Sequence, residues 1–363
     1  MKTEAAVLYG KDEPFRLEQV ELAPPKNGEV LVEVAASGIC HTDAVARAQI
    51  IPVPLPVVLG HEGSGVVVEV GPGVTTLRPG DHVGFSFGCC GQCGSCLSAQ
   101  PFACDHFNQI NFGGVMPDGS KRISKNGQEI STFFGQSSFA RHAVVNQASV
   151  VKVDTDLDLN LIGPLGCGIQ TGAGAVFNRL RPVFGSTIGV FGCGTVGMSA
   201  LMAAAICGCK EIIAVDVNPA NLELAKKLGA TQTINARENQ SLVAELKDLS
   251  HGGLHYAVDA TGSAASIKNA LAGLRFSGTV VVVGVTGELC LNVQEELMGE
   301  GKTLTGCVEG DANSRVFIPE LLAYYKAGRF PFDQLITFFD FQDINTIFDQ
   351  GHTGVIKAVL KMS

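Results

Sequence analysis

Short apolar runs separated by glycine and proline dominate the first third of the chain. Apolar runs occur at 5–9 and 30–34, and prolines and an Asn-Gly pair interrupt the sequence between them. Short strands joined by turns are typical of a β-rich, barrel-like domain rather than of strand–helix–strand units. The polar, glycine-rich stretch 108–135 is predicted to form surface loops, and strand character is predicted to return at Phe133 and to continue to Val151.

Longer repeating units replace this pattern from Gly185 to about Val308, where apolar strands alternate with helical segments. The predicted strands lie at 188–191, 212–215, 256–259 and 279–284. This alternation predicts a doubly wound parallel sheet. The segment 317–363 is predicted to contain two helical stretches and a final strand at 354–362, which returns to the first domain.

A glycine-rich turn follows the first of these strands and has the G-x-G-x-x-G spacing of a dinucleotide-binding loop. Gly192 permits a tight turn, Gly194 lets the backbone approach a pyrophosphate, and Gly197 allows close packing of the helix on the strand. Thr195 and Val196 begin that helix, whose free N–H groups favour a phosphate. An ordinary glycine-rich turn is the alternative, and the strand before it and the helix after it disfavour that alternative.

An acidic residue at the end of the next strand points to the kind of dinucleotide. Asp216 lies 24 residues after Gly192, close to the spacing of the carboxylate that binds the adenosine ribose. A carboxylate there repels a 2′-phosphate, and no lysine or arginine occurs at 217–221. The sequence therefore predicts NAD rather than NADP as the cofactor.

Composition narrows the class of protein. The 363 residues are 46% apolar and carry a net charge of −9, without basic clusters. This charge argues against nucleic acid or an anionic membrane surface as a partner. No apolar run is long enough to span a bilayer, and the N-terminus lacks the pattern of a secretory signal, so a cytoplasmic location is expected. The 12 cysteines are then more typical of metal binding than of disulfides.

Four of the cysteines form a compact C-x2-C-x2-C-x7-C cluster, made of Cys90, Cys93, Cys96 and Cys104. Four thiolates at this spacing predict a closed, tetrahedral structural zinc site. An iron–sulfur cluster fits the spacing less well. Cys89 is adjacent but out of register, and an exchange with Cys90 is a minor alternative.

Cys40, His61 and Cys167 lie outside this cluster and are also able to bind zinc. Two thiolates and one imidazole leave a fourth coordination position open, which distinguishes a catalytic zinc site from a structural one. The alternative is that the two cysteines are buried core thiols and that His61 is a structural histidine.

All these motifs together resemble the zinc-dependent medium-chain alcohol dehydrogenases, and the resemblance covers essentially the whole chain. It rests on Gly38-x-Cys40-His41-Thr42-Asp43, Gly60-His61-Glu62-Gly63-x-Gly65, the four-cysteine cluster, Gly166-Cys167-Gly168 and the glycine-rich loop. The segments 163–172 and 134–139 are similar to those of bacterial benzyl (aryl) alcohol dehydrogenases and their geraniol-oxidising relatives. The resemblance implies a GroES-like catalytic domain at 1–168 and 309–363, with the structural-zinc lobe at 89–105, and a Rossmann NAD-binding domain at 169–308.

The resemblance also implies a catalytic role for each residue around the second zinc site. Cys40, His61 and Cys167 would hold the catalytic zinc, and Glu62 would lie beside it and exchange with the bound water. Asp43 would accept the second ring N–H of His61 and fix its tautomer. Thr42 would bind the substrate oxygen and pass its proton to the nicotinamide ribose. Zinc lowers the pKa of a bound alcohol, and NAD then takes a hydride from the alcohol carbon.

Other matching positions concern the cofactor. His41 stands where relatives often have an arginine that touches the pyrophosphate, and we expect it to hold NADH less firmly. Lys357 matches another pyrophosphate-facing basic position, and Thr171 follows the third ligand in the segment that leads to the cofactor domain. Several relatives end the proton relay in a histidine where this chain has Val45. The end of the relay is therefore left open.

The expected substrate pocket is apolar. Ser86, Phe87 and Phe139 lie next to pocket positions of the family, and Val45 adds a small apolar wall. Such a lining favours an aryl or allylic primary alcohol over a sugar polyol, although the phenylalanines could simply belong to the core. The resemblance further implies a homodimer or homotetramer. The alternatives are a dehydrogenase of the glutathione adduct of formaldehyde and a non-catalytic protein on the same fold.

Overall fold

The computed structural model describes residues 1–350 and 354–362 of the chain. The described residues divide into two compact units. The first comprises Met1–Cys167, Asn313–Glu320 and the described part of Asp333–Ser363, and the second comprises Gly168–Ala312 and Leu321–Phe332. The domain boundaries expected from the resemblance stay a prediction.

Short strands build the first unit, because its sequence alternates apolar positions with turn residues. They are β1 (Lys2–Leu8), β2 (Arg16–Leu22), β3 (Glu29–Gly38), β4 (Val57–Val58), β5 (Gly63–Val70), β6 (His82–Phe85), β7 (Ile123–Lys125), β8 (Gln128–Ile130), β9 (His142–Asn146), β10 (Val150–Lys152), β17 (Ile336–Asp340) and β18 (Lys357–Lys361). One sheet has the order β4-β1-β2-β7-β8, and the other has the order β10-β6-β5-β3-β18-β17, with β9 also paired to β3. All these pairings are antiparallel except β17 with β18. The predicted β-rich architecture of this unit is confirmed.

Helices of the first unit are short and lie in the connections. They are α1 (His41–Arg47), α2 (Gly94–Leu97), α3 (Phe107–Phe112), α4 (Leu159–Ile162) and α12 (Ile344–Gln350), and α11 (Ser314–Lys326) is divided between the units. The two predicted helical stretches of the tail correspond to α11 and α12, and the final strand is confirmed as β18. Strand β17 was not predicted.

Two expectations for this unit were wrong. The stretch 108–135 is not only surface loop, because it contains α3 and the hairpin β7–β8 and buries Ile110 and Asn111. Strand structure does not return at Phe133, because Phe134 and Ser137 have φ angles of 53° and 54°, outside the range of a strand. Residues 133–137, between β8 and β9, instead form a tight turn whose side chains are buried. Its role becomes clear at the candidate site.

The second unit contains a six-stranded parallel sheet. Its strands are β11 (Thr187–Phe191), β12 (Glu211–Asp216), β13 (Gln232–Asn235), β14 (Leu254–Asp259), β15 (Leu274–Val282) and β16 (Thr303–Gly306), in the order β13-β12-β11-β14-β15-β16. The helices are α5 (Gly168–Gly174), α6 (Thr195–Ile206), α7 (Pro219–Lys227), α8 (Leu242–Leu249), α9 (Ala264–Gly273) and α10 (Val293–Glu296). In chain order this arrangement is 3-2-1-4-5-6, the strand order of a dinucleotide-binding sheet. The four predicted strands are confirmed, and β13 and β16 extend the sheet at its two edges.

Each unit has its own apolar core. The core of the second unit packs Phe191, Ile213 and Leu246 between sheet and helices, as expected for strands that are covered on both faces. No helix within residues 1–350 and 354–362 is both long and apolar enough to cross a bilayer.

Candidate active site and zinc centres

The four-cysteine cluster is brought together by the loop around α2. The sulfur atoms of Cys90 and Cys96 lie 3.9 Å apart, as do those of Cys93 and Cys104, and all four lie within 4.8 Å of one another. Tetrahedral zinc with Zn–S bonds of about 2.3 Å places sulfur atoms about 3.8 Å apart. The donor set therefore fits a closed structural zinc site.

Backbone N–H groups donate hydrogen bonds to sulfur atoms of this cluster. The N–H of Cys93 donates to the sulfur of Cys90 at 3.3 Å, and that of His106 donates to the sulfur of Cys104 at 3.4 Å. Backbone donors lower the pKa of Cys93 to about 6, whereas burial raises the pKa values of Cys96, Cys104 and the spare Cys89. The cluster of mutually close sulfurs contains Cys90 and not Cys89.

The second site is assembled by three separate connections. Cys40 is the N-cap of α1 directly after β3, His61 lies between β4 and β5, and Cys167 immediately precedes α5. Their ligand atoms and a carboxylate oxygen of Glu62 lie within 4.8 Å of one another. His61 Nε2 is buried and has no hydrogen-bond partner among the described residues. A buried polar atom without a partner is rare, and here it belongs to the Cys₂His donor set that a catalytic zinc uses. The residues therefore fit a zinc ion.

The buried carboxylate of Asp43 accepts hydrogen bonds from both the Cys40 and the His61 segments. Its Oδ1 accepts from His61 Nδ1 at 3.0 Å and from the N–H of Gly60 at 3.1 Å, and its Oδ2 accepts from the N–H of Cys40 at 3.0 Å. Because Nδ1 is engaged in this way, Nε2 is the ring nitrogen left to bind a metal. The position predicted for Asp43 therefore fits an outer partner of the metal site.

The charges of the site act on one another. Burial lowers the pKa of His61, but the carboxylate of Asp43 and the Cys40 thiolate outweigh burial and raise it. Interaction with the Cys167 thiol lowers the pKa of Cys40 well below its usual range, and burial opposes this shift. A thiolate at Cys40 is the form that a metal requires.

Glu62 makes a buried ion pair next to the donor set. The Nζ of Lys357 donates to both carboxylate oxygens of Glu62, at 2.9 and 2.7 Å, and to the carbonyl of Ile39 at 3.0 Å. Burial raises the pKa of Glu62, and the Glu62 carboxylate in turn raises the pKa of Lys357 against the effect of its own burial. An ideal Cβ on Gly38 would lie 2.0 Å from Glu62 Oε2, so a side chain at this position would displace the Glu62 carboxylate that pairs with Lys357.

Lys357 is thus placed beside the metal donors rather than in open space. Its three ammonium hydrogens face three acceptors within the first unit. The contact with a pyrophosphate that the resemblance implied would require Nζ to leave Glu62. His41 is exposed at the first position of α1, and its contact with the cofactor stays a prediction.

The glycine-rich loop has the geometry that its sequence predicts. Gly192 has a φ angle of +86°, and an ideal Cβ on Gly197 would lie 1.8 Å from the carbonyl oxygen of Gly192. An ideal Cβ on Gly194 would meet nothing within 4 Å, so open space lies at the start of α6. Asp216 accepts from the N–H of Cys193 at 2.6 Å and from the N–H of Asn218 at 2.8 Å. These residues fit a dinucleotide phosphate beside the loop and a ribose beside the carboxylate.

Thr171 lies in α5, which packs closely on the start of α6. An ideal Cβ on the neighbouring Gly172 would lie 1.9 Å from the carbonyl oxygen of Val196. Thr171 is buried to 9% exposure. Thr171 therefore lies in a helix that packs on the start of α6, and its contact with the cofactor stays a prediction.

Comparison with known proteins identifies the family of the chain. Residues 26–155 match the alcohol dehydrogenase GroES-like domain, and residues 195–323 match the zinc-binding dehydrogenase family. The chain is 42% identical to a geraniol dehydrogenase of Castellaniella defragrans over 365 aligned positions, which cover 99% of this chain and 98% of that protein. The chain belongs to the zinc-dependent medium-chain alcohol dehydrogenases.

Solved structures extend this similarity to three dimensions. Benzyl alcohol dehydrogenase from Acinetobacter calcoaceticus superimposes with a TM-score of 0.94 at 42% identity and full coverage of both chains. A zinc-binding-domain alcohol dehydrogenase from Burkholderia ambifaria gives a TM-score of 0.96 at 43% identity, covering 100% of this chain and 99% of that chain. A probable S-(hydroxymethyl)glutathione dehydrogenase of Schizosaccharomyces pombe is 36% identical over 99% of this chain and 97% of that protein. An alcohol dehydrogenase activity follows for this chain.

The residues predicted to line the substrate pocket lie in different surroundings. Phe139 is fully buried and packs edge-on against Phe15 and Phe348, which favours the alternative that it belongs to the apolar core, and its contact with substrate stays a prediction. The Ser86 hydroxyl is 1% exposed, donates to the carbonyl of Gly166 at 2.7 Å and lies 2.8 Å from the Ser314 hydroxyl. It serves the structure of the first unit.

Phe87 and Val45 remain candidates for the pocket wall. Phe87 is 4% exposed and lines a cavity of about 210 Å³ together with Cys89, Asn313 and Arg315. Val45 is 6% exposed, two residues after Asp43 in α1. Their contacts with substrate stay predictions.

An aromatic cluster next to His61 was not predicted from the sequence. Ring centroids are 5.7 Å apart between Phe87 and Phe107, 6.5 Å between Phe107 and Phe112, and 5.2 Å between Phe112 and Phe134. Phe133 packs against Phe134 at 4.9 Å and against Phe112 at 6.0 Å. The aromatic cluster, made of Phe87, Phe107, Phe112, Phe133 and Phe134, ends on the His61 imidazole. The repeated phenylalanines at 107–112 and 133–134 were the available signal.

Proposed function

We propose that this alcohol dehydrogenase oxidises aryl and allylic primary alcohols to aldehydes with NAD, in a reversible reaction. The aromatic cluster that runs from Phe87 to His61 is the observation that carries the proposal. It brings a continuous set of rings to the side chain that is expected to hold the catalytic metal. Its half-buried members Phe107 and Phe112 would offer ring faces and edges to a flat, unsaturated substrate. A polyol in the same place would lose hydrogen bonds to water without replacement.

Cys40, His61 and Cys167 would hold the catalytic zinc. The ion acts as a Lewis acid that lowers the pKa of a bound alcohol, as it does for water. Asp43 keeps the His61 ring in the tautomer that leaves Nε2 unprotonated. Thr42, whose hydroxyl oxygen lies 3.7 Å from the Cys40 sulfur, would accept the hydroxyl proton of the substrate and pass its own proton to the nicotinamide ribose. Bound NAD would accept the hydride of the alcohol carbon, so that the products would be an aldehyde and NADH.

NAD would be bound by the second unit through the loop at 192–197. Gly194 leaves room for the pyrophosphate beside the N-terminus of α6, which Thr195 and Val196 begin. Asp216 would exchange its present bond to the N–H of Cys193 for the adenosine ribose hydroxyls. A 2′-phosphate on that ribose would meet a carboxylate, with an unfavourable charge contact.

Removal of the Asp216 charge tests the cofactor assignment. In Asp216→Asn we expect the ratio of kcat/KM for NAD to that for NADP to fall by roughly 10- to 100-fold, because hydrogen bonds to a charged group contribute about 1.5–3 kcal/mol. Steady-state rates with both cofactors measure this ratio. Asp248→Asn, which removes an exposed carboxylate from α8, should leave the ratio unchanged. An unchanged ratio in Asp216→Asn would contradict the role of Asp216.

The relatives suggest which alcohols to compare. One relative is named for geraniol, one for benzyl alcohol, and a more distant one for S-(hydroxymethyl)glutathione. The glutathione adduct is a large anionic substrate that needs cationic partners, and the aromatic cluster supplies none. The first two substrates share an sp² carbon next to the alcohol carbon, which is the feature we assign to the site.

A substrate panel tests the proposed specificity. We expect kcat/KM for benzyl alcohol or geraniol to exceed that for ethanol by at least about 100-fold. Each additional methylene contributes about 1–3 kcal/mol in an apolar pocket, and these substrates are larger than ethanol by several such groups. Initial rates of NADH formation measure this difference, and the chain contains no tryptophan that would add protein fluorescence. Preference for S-(hydroxymethyl)glutathione would contradict the specificity while leaving the zinc and NAD assignments intact. The homodimer or homotetramer implied by the resemblance stays a prediction.

A further inference from the structure

Phe134 lies flat on the imidazole of His61. The two ring centroids are 4.6 Å apart and the ring planes differ by 27°, whereas Phe133 meets the imidazole edge-on at 5.5 Å and 85°. His61 is fully buried between these rings. One face and one edge of this candidate metal ligand are therefore in contact with aromatic carbon.

Asp43 alone does not fix the orientation of the imidazole. Its hydrogen bond to Nδ1 at 3.0 Å holds one ring atom in place, but the ring can still tilt about the line that joins the donor and the acceptor. Tilting would swing Nε2 away from the sulfur atoms of Cys40 and Cys167. A flat contact on the ring face removes this freedom, because tilting would drive the imidazole into Phe134.

The backbone that carries Phe134 adopts an unusual conformation. Phe134 and Gly135 have φ angles of +53° and +60°, and a bulky residue rarely enters this region. Strained residues of this kind persist only where their surroundings hold them, and they concentrate at functional sites. The turn is held by the N–H of Phe134, which donates to the carbonyl of Asn111 at 2.8 Å, and by the N–H of Phe133, which donates to the Ser137 hydroxyl at 3.0 Å.

The same turn is bonded to the chain on both sides of His61. The N–H groups of Ser138 and Phe139 donate to the carbonyls of Gly60 and Leu59, at 3.0 and 3.1 Å. The side-chain oxygen of Gln136 accepts from the N–H of Gly63 at 3.4 Å. The aromatic face and the metal ligand are therefore held by one connected set of hydrogen bonds.

We propose that Phe134 is a positioning residue for the catalytic zinc. Its ring face sets the plane of the His61 imidazole, so that Nε2 is directed to the donor set before the metal binds. The inference rests on the proposed function in one respect, namely that Cys40, His61 and Cys167 hold zinc. Phe134 acts by orienting His61, and this role does not require a contact between Phe134 and the substrate or the cofactor.

Metal release measures this role without any turnover. We compare Phe134→Leu, which keeps an apolar side chain but removes the flat face, with Phe134→Tyr, which keeps the ring. A chromophoric chelator records zinc release, and the four-cysteine site in the same chain is the internal control. Since outer partners of metal ligands change metal affinity by about 10- to 100-fold, we expect Phe134→Leu to release the catalytic zinc at least about tenfold faster. Release from the four-cysteine site should not change, and Phe134→Tyr should behave like the wild type.

A second readout and a matched variant separate positioning from packing. With cobalt(II) at the catalytic site, we expect the visible ligand-field bands to shift in Phe134→Leu and to return to the wild-type position in Phe134→Tyr. Phe112→Leu removes a ring whose centroid lies 5.2 Å from that of Phe134. Among the described residues, the rings that pack against His61 are those of Phe133 and Phe134, not that of Phe112. We expect the zinc release and the cobalt spectrum of Phe112→Leu to match the wild type.

The outcomes are distinct. Wild-type release and an unshifted spectrum in Phe134→Leu would overturn the inference, and so would an equal effect of Phe112→Leu or faster release from both zinc sites. Wild-type protein that binds one zinc per chain would overturn the proposed function and the inference together. Two zinc ions in the wild type with an unchanged Phe134→Leu would overturn the inference alone.

Discussion

Replacement of Cys40 by serine is expected to lower kcat/KM for the preferred alcohol by at least about a thousandfold, because the catalytic zinc would strongly lower the pKa of a bound alcohol, as it does for bound water, and its loss removes that effect. Serine is a favourable helix N-cap, so α1 should still begin at His41. The loss would therefore report on the metal and not on the helix. Zinc content should fall from two ions to one per chain.

Cys89→Ser is the matched control for this variant. The substitution is the same, and both sulfurs are half-buried, but Cys89 is outside both sets of mutually close ligand atoms. We expect its zinc content and its kcat/KM to equal those of the wild type. Cys40→Ser with full activity and two zinc ions would show that Cys40 is a core thiol, which is the alternative left open by its sequence context.

Replacement of Lys357 by methionine is expected to destabilise the protein by about 3–5 kcal/mol, because it removes the ammonium group that pairs with the buried carboxylate of Glu62. Lys357 is 3% exposed and Glu62 is fully buried. The free energy of unfolding, measured by urea denaturation of the zinc-loaded protein, reports this change. The double variant Glu62→Gln/Lys357→Met removes both charges and should recover most of the lost stability.

A second lysine provides the comparison for this ion pair. The Nζ of Lys152 lies 2.7 Å from a carboxylate oxygen of Asp81, the same distance as between Lys357 and Glu62, but the Lys152 side chain is 50% exposed. We expect Lys152→Met to change the free energy of unfolding by no more than about 1 kcal/mol, since water screens exposed pairs. Equal effects of Lys152→Met and Lys357→Met would contradict the importance of burial at this pair.

Local spacing is what made much of this molecule predictable. The cysteine spacings and the glycine-rich loop lie within short stretches, and each residue type follows from one physical need, such as the +86° φ angle of Gly192. The alternation of strands and helices is also a local pattern, and it predicted the parallel sheet. Cys40, His61 and Cys167, by contrast, are spread along the chain. Their residue types allowed a zinc site but also buried core thiols and a structural histidine, and only the family resemblance favoured the zinc site.

Features that depend on packing were not predictable in this way. Phe87 and Phe139 look alike in sequence and both enter the apolar core, but Phe87 packs against Phe107 and Phe139 packs against Phe15. The left-handed backbone at Phe134 has no signal in its residue type, so the turn was predicted as strand. The ion pair of Glu62 with Lys357 joins residues 295 positions apart, and both were assigned roles without reference to each other.

Zinc dependence of NADH formation tests the central claim most directly. Benzyl alcohol and NAD are supplied while the zinc content of the wild-type protein is lowered from two ions to one per chain by a chelator and then restored. We expect NADH formation to disappear with the first zinc released and to return when zinc is added back. Undiminished NADH formation by protein with one zinc per chain would contradict the assignment of Cys40, His61 and Cys167 as the catalytic zinc site.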